Sequence, residues 1–265
     1  MEIIKQILLP AHLAWAILNK IMQNYNIAYL FVCEAGSTAM GLAGPTSDHD
    51  IRGFFIPLNS NGRPDLRNFM GLKRRIPEVI ELKNEEVDLV LYDLFKVIQL
   101  LISSNPTVME WMKSSIVLAT SPCIEKLRLV AKNCFNPKAS WYHNLNLMKS
   151  NHLSFVANEE RVKPKKLIYV MPSMLAMLFI EKKGEQPPLN FDELLALCDD
   201  IPANVKDHVD LLVQAKREGV ELVARDPVLD AFIVEHLARK CPSTFKVPEN
   251  HAKELEAIWF SVLGV

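Results

Sequence analysis

The pattern of apolar residues changes near Asp93, and this change limits the folds open to the chain. Before Asp93, apolar residues form short runs of strand length, such as Ile27–Cys33 and Val87–Leu91, which are separated by glycine and proline. After Asp93 they recur at helical spacing, glycine is scarce, and prolines stand where helices begin or break. We therefore predict an α+β fold, with a small mixed sheet followed by an all-helical C-terminal half. The expected domains are residues 1–92 and 93–265.

The bulk composition is that of an ordinary globular protein. The chain has 265 residues, of which 49% are hydrophobic and 23% charged, and its net charge is -1. This balance gives no overall field that would attract nucleic acid, so a polyanionic partner would have to be held by a local patch. The five cysteines are odd in number and scattered, which favours reduced thiols over a disulfide framework or a zinc site.

The apolar N-terminus does not have the pattern of a targeting signal. The segment Met1–Lys20 contains Glu2, Pro10 and His12, and no small-residue cleavage site followed by a polar region. No stretch of the chain reaches the ~18 uninterrupted apolar residues that a membrane span needs. We expect an amphipathic helix that covers the first strand, a cytoplasmic location and no membrane contact.

Candidate chemistry is concentrated between Glu34 and Gly53. Gly36-Ser37 ends a strand and opens a short helix, so backbone N–H groups are available for a phosphate. Asp48 and Asp50 lie two residues apart on a predicted strand and so share one face. Two carboxylates on one face repel each other unless a cation lies between them, and Mg²⁺ (or Mn²⁺) suits that position.

A third carboxylate, Asp88, falls on a later predicted strand. Together with Asp48 and Asp50 it could hold two ions ~4 Å apart, one for the attacking hydroxyl and one for the leaving pyrophosphate. Each part has a simpler explanation, because Asp-x-Asp is common in solvated turns and Gly-Ser in plain turns. The joint order of strand, Gly-Ser, Asp-x-Asp strand and later strand Asp is much more specific.

Two cationic residues are further candidates for the site. Arg52 shares the face of Asp50, so it could form an ion pair with one of the carboxylates or reach a phosphate. Lys96 opens the first helix after the sheet and could contact a phosphate, or it could be a solvated helix lysine. Two basic clusters could grip an RNA end or be solvated surface. They are Arg63, Arg67, Lys73, Arg74 and Arg75, and Arg161, Lys163, Lys165 and Lys166.

The joint pattern resembles the DNA polymerase β nucleotidyltransferase superfamily, and more closely its branch found with RNA ligases in RNA-repair gene clusters. The similarity covers roughly residues 27 to 195 and includes several further segments. These are Val87–Lys96, Ser104–Trp111, Phe135–Lys138, Tyr142–Asn151 and Tyr169 to Pro188. The chain departs from the branch at Leu91 and Tyr92, where Gly and Trp are usual, and at Thr38 and Pro172, where Arg is expected.

The resemblance implies a metal-dependent enzyme that moves a nucleoside monophosphate from an NTP such as ATP to a hydroxyl, with an RNA end as acceptor. It also implies a catalytic domain at 1–92 and a helical acceptor-binding domain at 93–265. Alternatives stay open at this point: adenylylation of a protein or a small molecule, or a non-catalytic nucleotide-binding module. Because all three carboxylates are present, the catalytic interpretation is favoured over the binding module.

Overall fold

A five-stranded mixed sheet lies in the N-terminal half of this computed structural model, which describes residues 11–45, 47–68, 74–249 and 251–264. The strands are β1 (Ile27–Glu34), β2 (His49–Pro57), β3 (Val79–Lys83), β4 (Val87–Asp93), β5 (Val117–Thr120), β6 (Arg161–Val162) and β7 (Val223–Ala224). The helices before residue 135 are α1 (Ala11–Tyr25), α2 (Gly36–Ala39), α3 (Leu94–Ile102), α4 (Pro106–Trp111) and α5 (Cys123–Asn133). Those that follow are α6 (Pro137–Phe155), α7 (Pro164–Ile168), α8 (Val170–Lys183), α9 (Phe191–Leu197), α10 (Ala203–Arg217), α11 (Pro227–Leu237) and α12 (Ala252–Leu263).

The contacts group the chain into two compact units. The first unit comprises Met1–Ala39, Asp48–Cys134 and Pro248–Val265. The second comprises Met40–Ser47 and Phe135–Val247. A short segment directly before Asp48 therefore belongs to the second unit, although its neighbours on both sides in the sequence belong to the first.

The sheet of the first unit has the strand order β3-β4-β2-β1-β5. β1 is antiparallel to both β2 and β5, and β3 is antiparallel to β4, but β2 and β4 run parallel. A buried apolar cluster that includes Leu18, Val32, Ile51 and Leu89 joins α1 to one face of the sheet. The parallel pairing of β2 and β4 brings the beginnings of these two strands together at one edge, which is where the candidate site lies.

The second unit is built mainly from helices around its own core. Its buried cluster includes Trp141 and Met148 of α6, Met174 and Leu175 of α8 and Val209 of α10. Several helices begin at a proline that follows a capping side chain: Asn136 caps α6 before Pro137, and Asp226 caps α11 before Pro227. The apolar residues that recur at helical spacing in this part of the sequence thus include core residues.

The predicted α+β class with a small mixed sheet and a helical C-terminal half is confirmed. The half that was expected to be wholly helical also contributes strands: β5 joins the five-stranded sheet, and β6 and β7 pair as a separate two-stranded sheet. β5 is only four residues long, and its pairing with β1 is a long-range contact that no local apolar pattern reveals.

The two compact units do not divide the chain at residues 92 and 93. Helices α3, α4 and α5 lie in the first unit with the sheet, together with α12 from the end of the chain. The division into a catalytic domain at 1–92 and an acceptor-binding domain at 93–265 stays a prediction, since compactness does not tell which residues bind an acceptor.

Further predictions meet the structure as follows. The expected N-terminal helix is present as α1, and Met1–Pro10 lie outside the described residues. All five cysteines are free thiols. Across the described ranges, no helix is both long enough and apolar enough to cross a membrane.

Candidate active site

Asp50 and Asp88 face each other across two neighbouring strands. The parallel register of β2 and β4 pairs Asp50 with Asp88, near the start of each strand. Asp48 directly precedes β2, which begins at His49 rather than at Asp48 as the sequence predicted. All three residues are partly exposed. The structure therefore places the predicted carboxylates at one edge of the sheet, where solutes can reach them.

Arg52 bridges the two paired carboxylates. Its Nη2 donates to Asp50 Oδ1 at 2.7 Å, and its Nη1 donates to Asp88 Oδ1 at 3.0 Å. Nη1 also donates to the backbone carbonyl of Asp88. Of the two roles considered for Arg52, the ion pair is the one seen here, and it involves both carboxylates. A single guanidinium spanning both groups shows that they lie close enough to act on one bound species.

Lys83 is a second cation at this edge. Its ammonium donates to Asp88 Oδ2, and this hydrogen bond is the largest cause that holds the pKa of Asp88 below its usual value. The pKa of Lys83 is raised first by Asp88 and then by the charges of Asp48 and Asp50. All three acidic residues thus act on one ammonium group, so their negative fields converge there.

Gly36 fixes the other side of the site. Its φ of +57° lies in the left-handed region, and a Cβ added to it would collide with the Asp50 carboxylate. The backbone N–H of Ala35 donates to the carbonyl of Asp50 at 2.7 Å. The Gly36-Ser37 turn therefore lies directly against Asp50, and only glycine combines this backbone angle with so close an approach. Ser37 follows in α2, with most of its surface buried.

A buried acid beside the turn was not assigned a role from the sequence. Glu34 ends β1, is almost fully buried and pairs with Nδ1 of His49. The hydroxyl of Ser114 donates to the backbone carbonyl of Glu34. The pair between Glu34 and His49 ties the end of β1 to the residue between Asp48 and Asp50, so His49 has a structural role. The available signal was an acidic residue that closes an otherwise apolar strand just before Gly-Ser.

Lys96 is not brought to the carboxylates. Asp88 is near the start of β4, and Lys96 follows the end of that strand. The five residue steps from Asp88 to Asp93 alone span roughly 16 Å. The Nζ of Lys96 lies 3.2 Å from Glu78 Oε1 and 5.7 Å from the ring centroid of Tyr92. Lys96 is therefore not part of the proposed site, because the length of β4 separates it from Asp50 and Asp88.

The first basic cluster is held by local ion pairs. Arg67 and Arg75 pair with Asp65, and Arg74 pairs with Asp93 and Glu78. Lys73 lies outside the described residues. Arg67, Arg74 and Arg75 thus form local ion pairs, which favours a structural surface role over the binding of an RNA end.

The donor atoms at the site fit Mg²⁺ in kind, since carboxylate oxygens are its preferred protein ligands. In the present arrangement, oxygens of Asp50 and Asp88 are engaged by Arg52 and Lys83. Among the residues described, no three His, Cys, Asp or Glu side chains form a group with metal-ligand spacing. A divalent ion would therefore have to exchange with these protein cations, which neutralise the same carboxylates.

The chain is similar in sequence to a protein family and to further known proteins. Residues 12–259 match the family described as RlaP, the RNA repair pathway DNA polymerase beta family. The chain is 31% identical over 225 residues to the uncharacterized protein YcgL of Bacillus subtilis (strain 168), covering 84% of this chain and 83% of that protein. A crystal structure of a nucleotidyltransferase-like protein from Exiguobacterium sibiricum 255-15 aligns over 96% of this chain and 89% of its own, with a TM-score of 0.30 and 13% identity.

The family match spans both compact units, including the sheet edge that carries Asp50 and Asp88. The resemblance inferred from the Gly-Ser and Asp-x-Asp segments is thereby confirmed. The chain belongs to the RNA repair pathway DNA polymerase beta family.

Proposed function

We propose that the protein is a metal-dependent nucleotidyltransferase that moves a nucleoside monophosphate from an NTP, such as ATP, to a hydroxyl at an RNA end. The observation that carries the proposal is the pairing of Asp50 with Asp88 at one sheet edge, with Asp48 next to it and the Gly36 turn against Asp50. A structural ion pair alone needs one acid and one base. Three carboxylates near one accessible end of the strands supply oxygen ligands of the kind that a divalent cation prefers, and the charges of all three act on Lys83.

In this proposal, Asp48, Asp50 and Asp88 would hold Mg²⁺ (or Mn²⁺). The bound ions would lower the pKa of the attacking hydroxyl and offset the charge of the leaving pyrophosphate. Arg52, released from its two carboxylates, would remain at the same edge, where its guanidinium can contact a phosphate oxygen of the NTP. Lys83 is mostly exposed, so its side chain can move away from Asp88 at little cost.

The turn at Gly36-Ser37 would position the phosphates. Because Gly36 has no side chain, the turn lies directly against the Asp50 carboxylate, and a phosphate held by the backbone N–H groups of the turn would lie next to that carboxylate. The hydroxyl of Ser37 is a further donor of the right kind. Binding and chemistry would then depend on two separate elements, with the turn orienting the triphosphate and the carboxylates holding the ions beside the reacting phosphate.

An RNA end is the acceptor that the family description favours, since it places the family in RNA repair. The helical part of residues 93–265 would supply the acceptor-binding surface. Transfer to a protein or a small molecule, and a non-catalytic nucleotide-binding role, are the alternatives. The non-catalytic role is disfavoured because all three carboxylates are present and share one edge.

The test is transfer of label. The purified protein is incubated with Mg²⁺ and each α-labelled NTP in turn, with hydroxyl-ended RNA, DNA or protein as acceptor. We expect label on RNA, loss of transfer in Asp50→Asn, and near-normal transfer in Asp65→Asn. Asp65 is a matched control, because it is also an acid of the first unit that pairs with two cations, Arg67 and Arg75.

Label on a protein or a small molecule would replace the acceptor and keep the chemistry. Absence of transfer to all acceptors, with any NTP and with either metal, would contradict the proposed enzyme. Equal transfer by wild type and Asp50→Asn would show that Asp50 has no part in the reaction and would contradict the proposed role of the three carboxylates.

A further inference from the structure

A second site of interest is a cavity inside the second unit. It has a volume of about 490 Å³ and is lined by three lysines, Lys163, Lys165 and Lys216, among other residues. This size lies within the range of small-molecule pockets. The described residues that line it all belong to the second unit.

Lys216 is built into the wall of the cavity. It is only 6% exposed, its ammonium donates to the backbone carbonyl of Leu42, and it lies 5.9 Å from the ring centroid of Tyr169. A buried ammonium is costly unless polar groups surround it, so its position is fixed by its partners. The charge that Lys216 presents is therefore held in place rather than carried on a mobile surface side chain.

The loop before Asp48 forms another part of the wall. A Cβ at Gly44 would lie 2.7 Å from the backbone oxygen of Lys216, so this loop packs against the end of α10. The N–H of Gly44 donates to Oγ of Ser47 at 3.0 Å. Because the Ser47 oxygen serves as the acceptor in this bond, its own O–H can be donated to a ligand in the cavity.

The charges around the cavity favour an anion. Among the described residues that line it there are three lysines and one acid, Glu221, whose side chain is exposed. The ammonium group of lysine is a compact point charge with three donors and is a common phosphate ligand. Fixed charge, an added hydroxyl donor and room for more than one phosphate group together indicate a phosphate-bearing ligand.

We propose that the cavity lined by Lys163, Lys165, Lys216 and Ser47 is a phosphate-binding site. The phosphate could come from the triphosphate of an NTP or from the backbone of the acceptor strand. The choice between these sources rests on the proposed function, whereas binding of a phosphate group does not. Ser47 directly precedes Asp48 in the sequence, so one short segment joins the cavity wall to the first carboxylate.

A matched control is available within α7. Lys166 neighbours Lys165 but does not line the cavity, and its Nζ lies 3.8 Å from the ring centroid of Phe155. Lys166→Gln removes one positive charge from α7, outside the cavity. Lys163→Gln with Lys165→Gln removes two lining charges that are more exposed than Lys216, which makes loss of folding less of a concern.

Binding is measured by calorimetry with inorganic tripolyphosphate, ATP and a short single-stranded RNA, each with a metal chelator present. We expect wild type to bind tripolyphosphate and the double variant to bind it about tenfold more weakly or worse. Lys166→Gln should stay within about twofold of wild type. Melting temperatures of all variants are compared first, to confirm that the double variant is folded.

The ATP and RNA arms identify the source of the phosphate. Weaker RNA binding with unchanged ATP binding in the double variant assigns the site to the acceptor strand, and the reverse assigns it to the NTP. Absence of tripolyphosphate binding by wild type would overturn the proposal, as would equal binding by the double variant or an equal loss in Lys166→Gln. Asp88→Asn should bind tripolyphosphate like wild type under these conditions, so failure of the carboxylate chemistry and failure of the lysine cavity give different results.

Discussion

Replacement of Asp88 by Asn separates a catalytic carboxylate from a structural ion-pair partner. Asp88 accepts hydrogen bonds from Arg52 and Lys83, and both its side chain and that of Arg52 are largely buried, at 21% and 16% exposed. A hydrogen bond to a charged group in such a position contributes about 1.5–3 kcal/mol, whereas solvent screens the pair with the 72% exposed Lys83 and leaves it a small contribution. Because Asn keeps one oxygen toward Arg52, we expect the free energy of unfolding to fall by about 1–2 kcal/mol at neutral pH.

This loss of stability should depend on pH in a defined direction. The pKa of Asp88 in the folded state lies below that of an ordinary aspartate, so the ionised group stabilises the fold at pH values above the ordinary pKa. The contribution is lost as the pH falls through the lowered pKa. The difference in unfolding free energy between wild type and Asp88→Asn should therefore be full at pH 7 and shrink toward pH 3, as measured by urea denaturation.

The effect on turnover should be far larger than the effect on stability. A loss of label transfer of ~10³-fold corresponds to ~4 kcal/mol of transition-state stabilisation, which is reasonable for loss of a metal ligand. NTP affinity should be mostly retained, since Asp48 and Asp50 remain. Turnover and NTP affinity are measured on one preparation of the folded variant.

Lys83→Gln is the control for the ion pair. It removes the exposed partner of Asp88 and leaves the carboxylate, so the free energy of unfolding should change less than in Asp88→Asn and turnover should persist. Unchanged turnover in Asp88→Asn would refute the reasoning, because Asp88 would then serve only its pairs with Arg52 and Lys83.

Three further outcomes are expected. Mg²⁺ with NTP should raise the melting temperature more than NTP with chelator does. At a ligand concentration ~100 times its Kd, binding stabilises the fold by ~2.7 kcal/mol. If no NTP gave a metal-dependent shift, that would count against the metal site. Gly36→Val should abolish NTP binding, since it collides with the Asp50 carboxylate and places a branched residue at φ +57°, a strain of about 1–2 kcal/mol; normal NTP binding by a folded variant would make the turn merely structural. Burial raises the pKa of Glu110 to about 7, so folding favours its protonated form and the fold loses stability as pH rises from about 4.5 to 7. Glu110→Gln should therefore gain stability relative to wild type between pH 5 and pH 8, by up to about 3 kcal/mol in thermal or urea unfolding, and a pH-independent difference would contradict the raised pKa.

Local pattern was sufficient for much of the fold. The apolar run of β1, the break at Gly36 and the proline-led starts of α6 and α11 depend on neighbouring residues, and each is present in the structure. Such features follow from backbone preferences and capping, which act over a few residues. The nearness of Asp48 to Asp50 is of the same kind, because two positions on one chain segment cannot lie far apart.

Other features of the site depend on contacts between distant segments. Asp50 faces Asp88 only because β2 and β4 pair in parallel with one particular register, and a shift of one residue would separate the two carboxylates. Arg52 spans both acids, and Lys83 reaches Asp88, for the same reason.

Residues whose roles differ from their sequence context show the same limit. Lys96 follows Asp88 closely in the sequence, but the length of β4 holds it away from the carboxylates. Gly44 and Ser47 precede Asp48, yet they pack with the lysines of the second unit. The residue types and their order therefore determined the family and the elements of the fold. Which side chains share a site was decided by strand register and by packing between segments far apart in the sequence, and no local pattern encodes either.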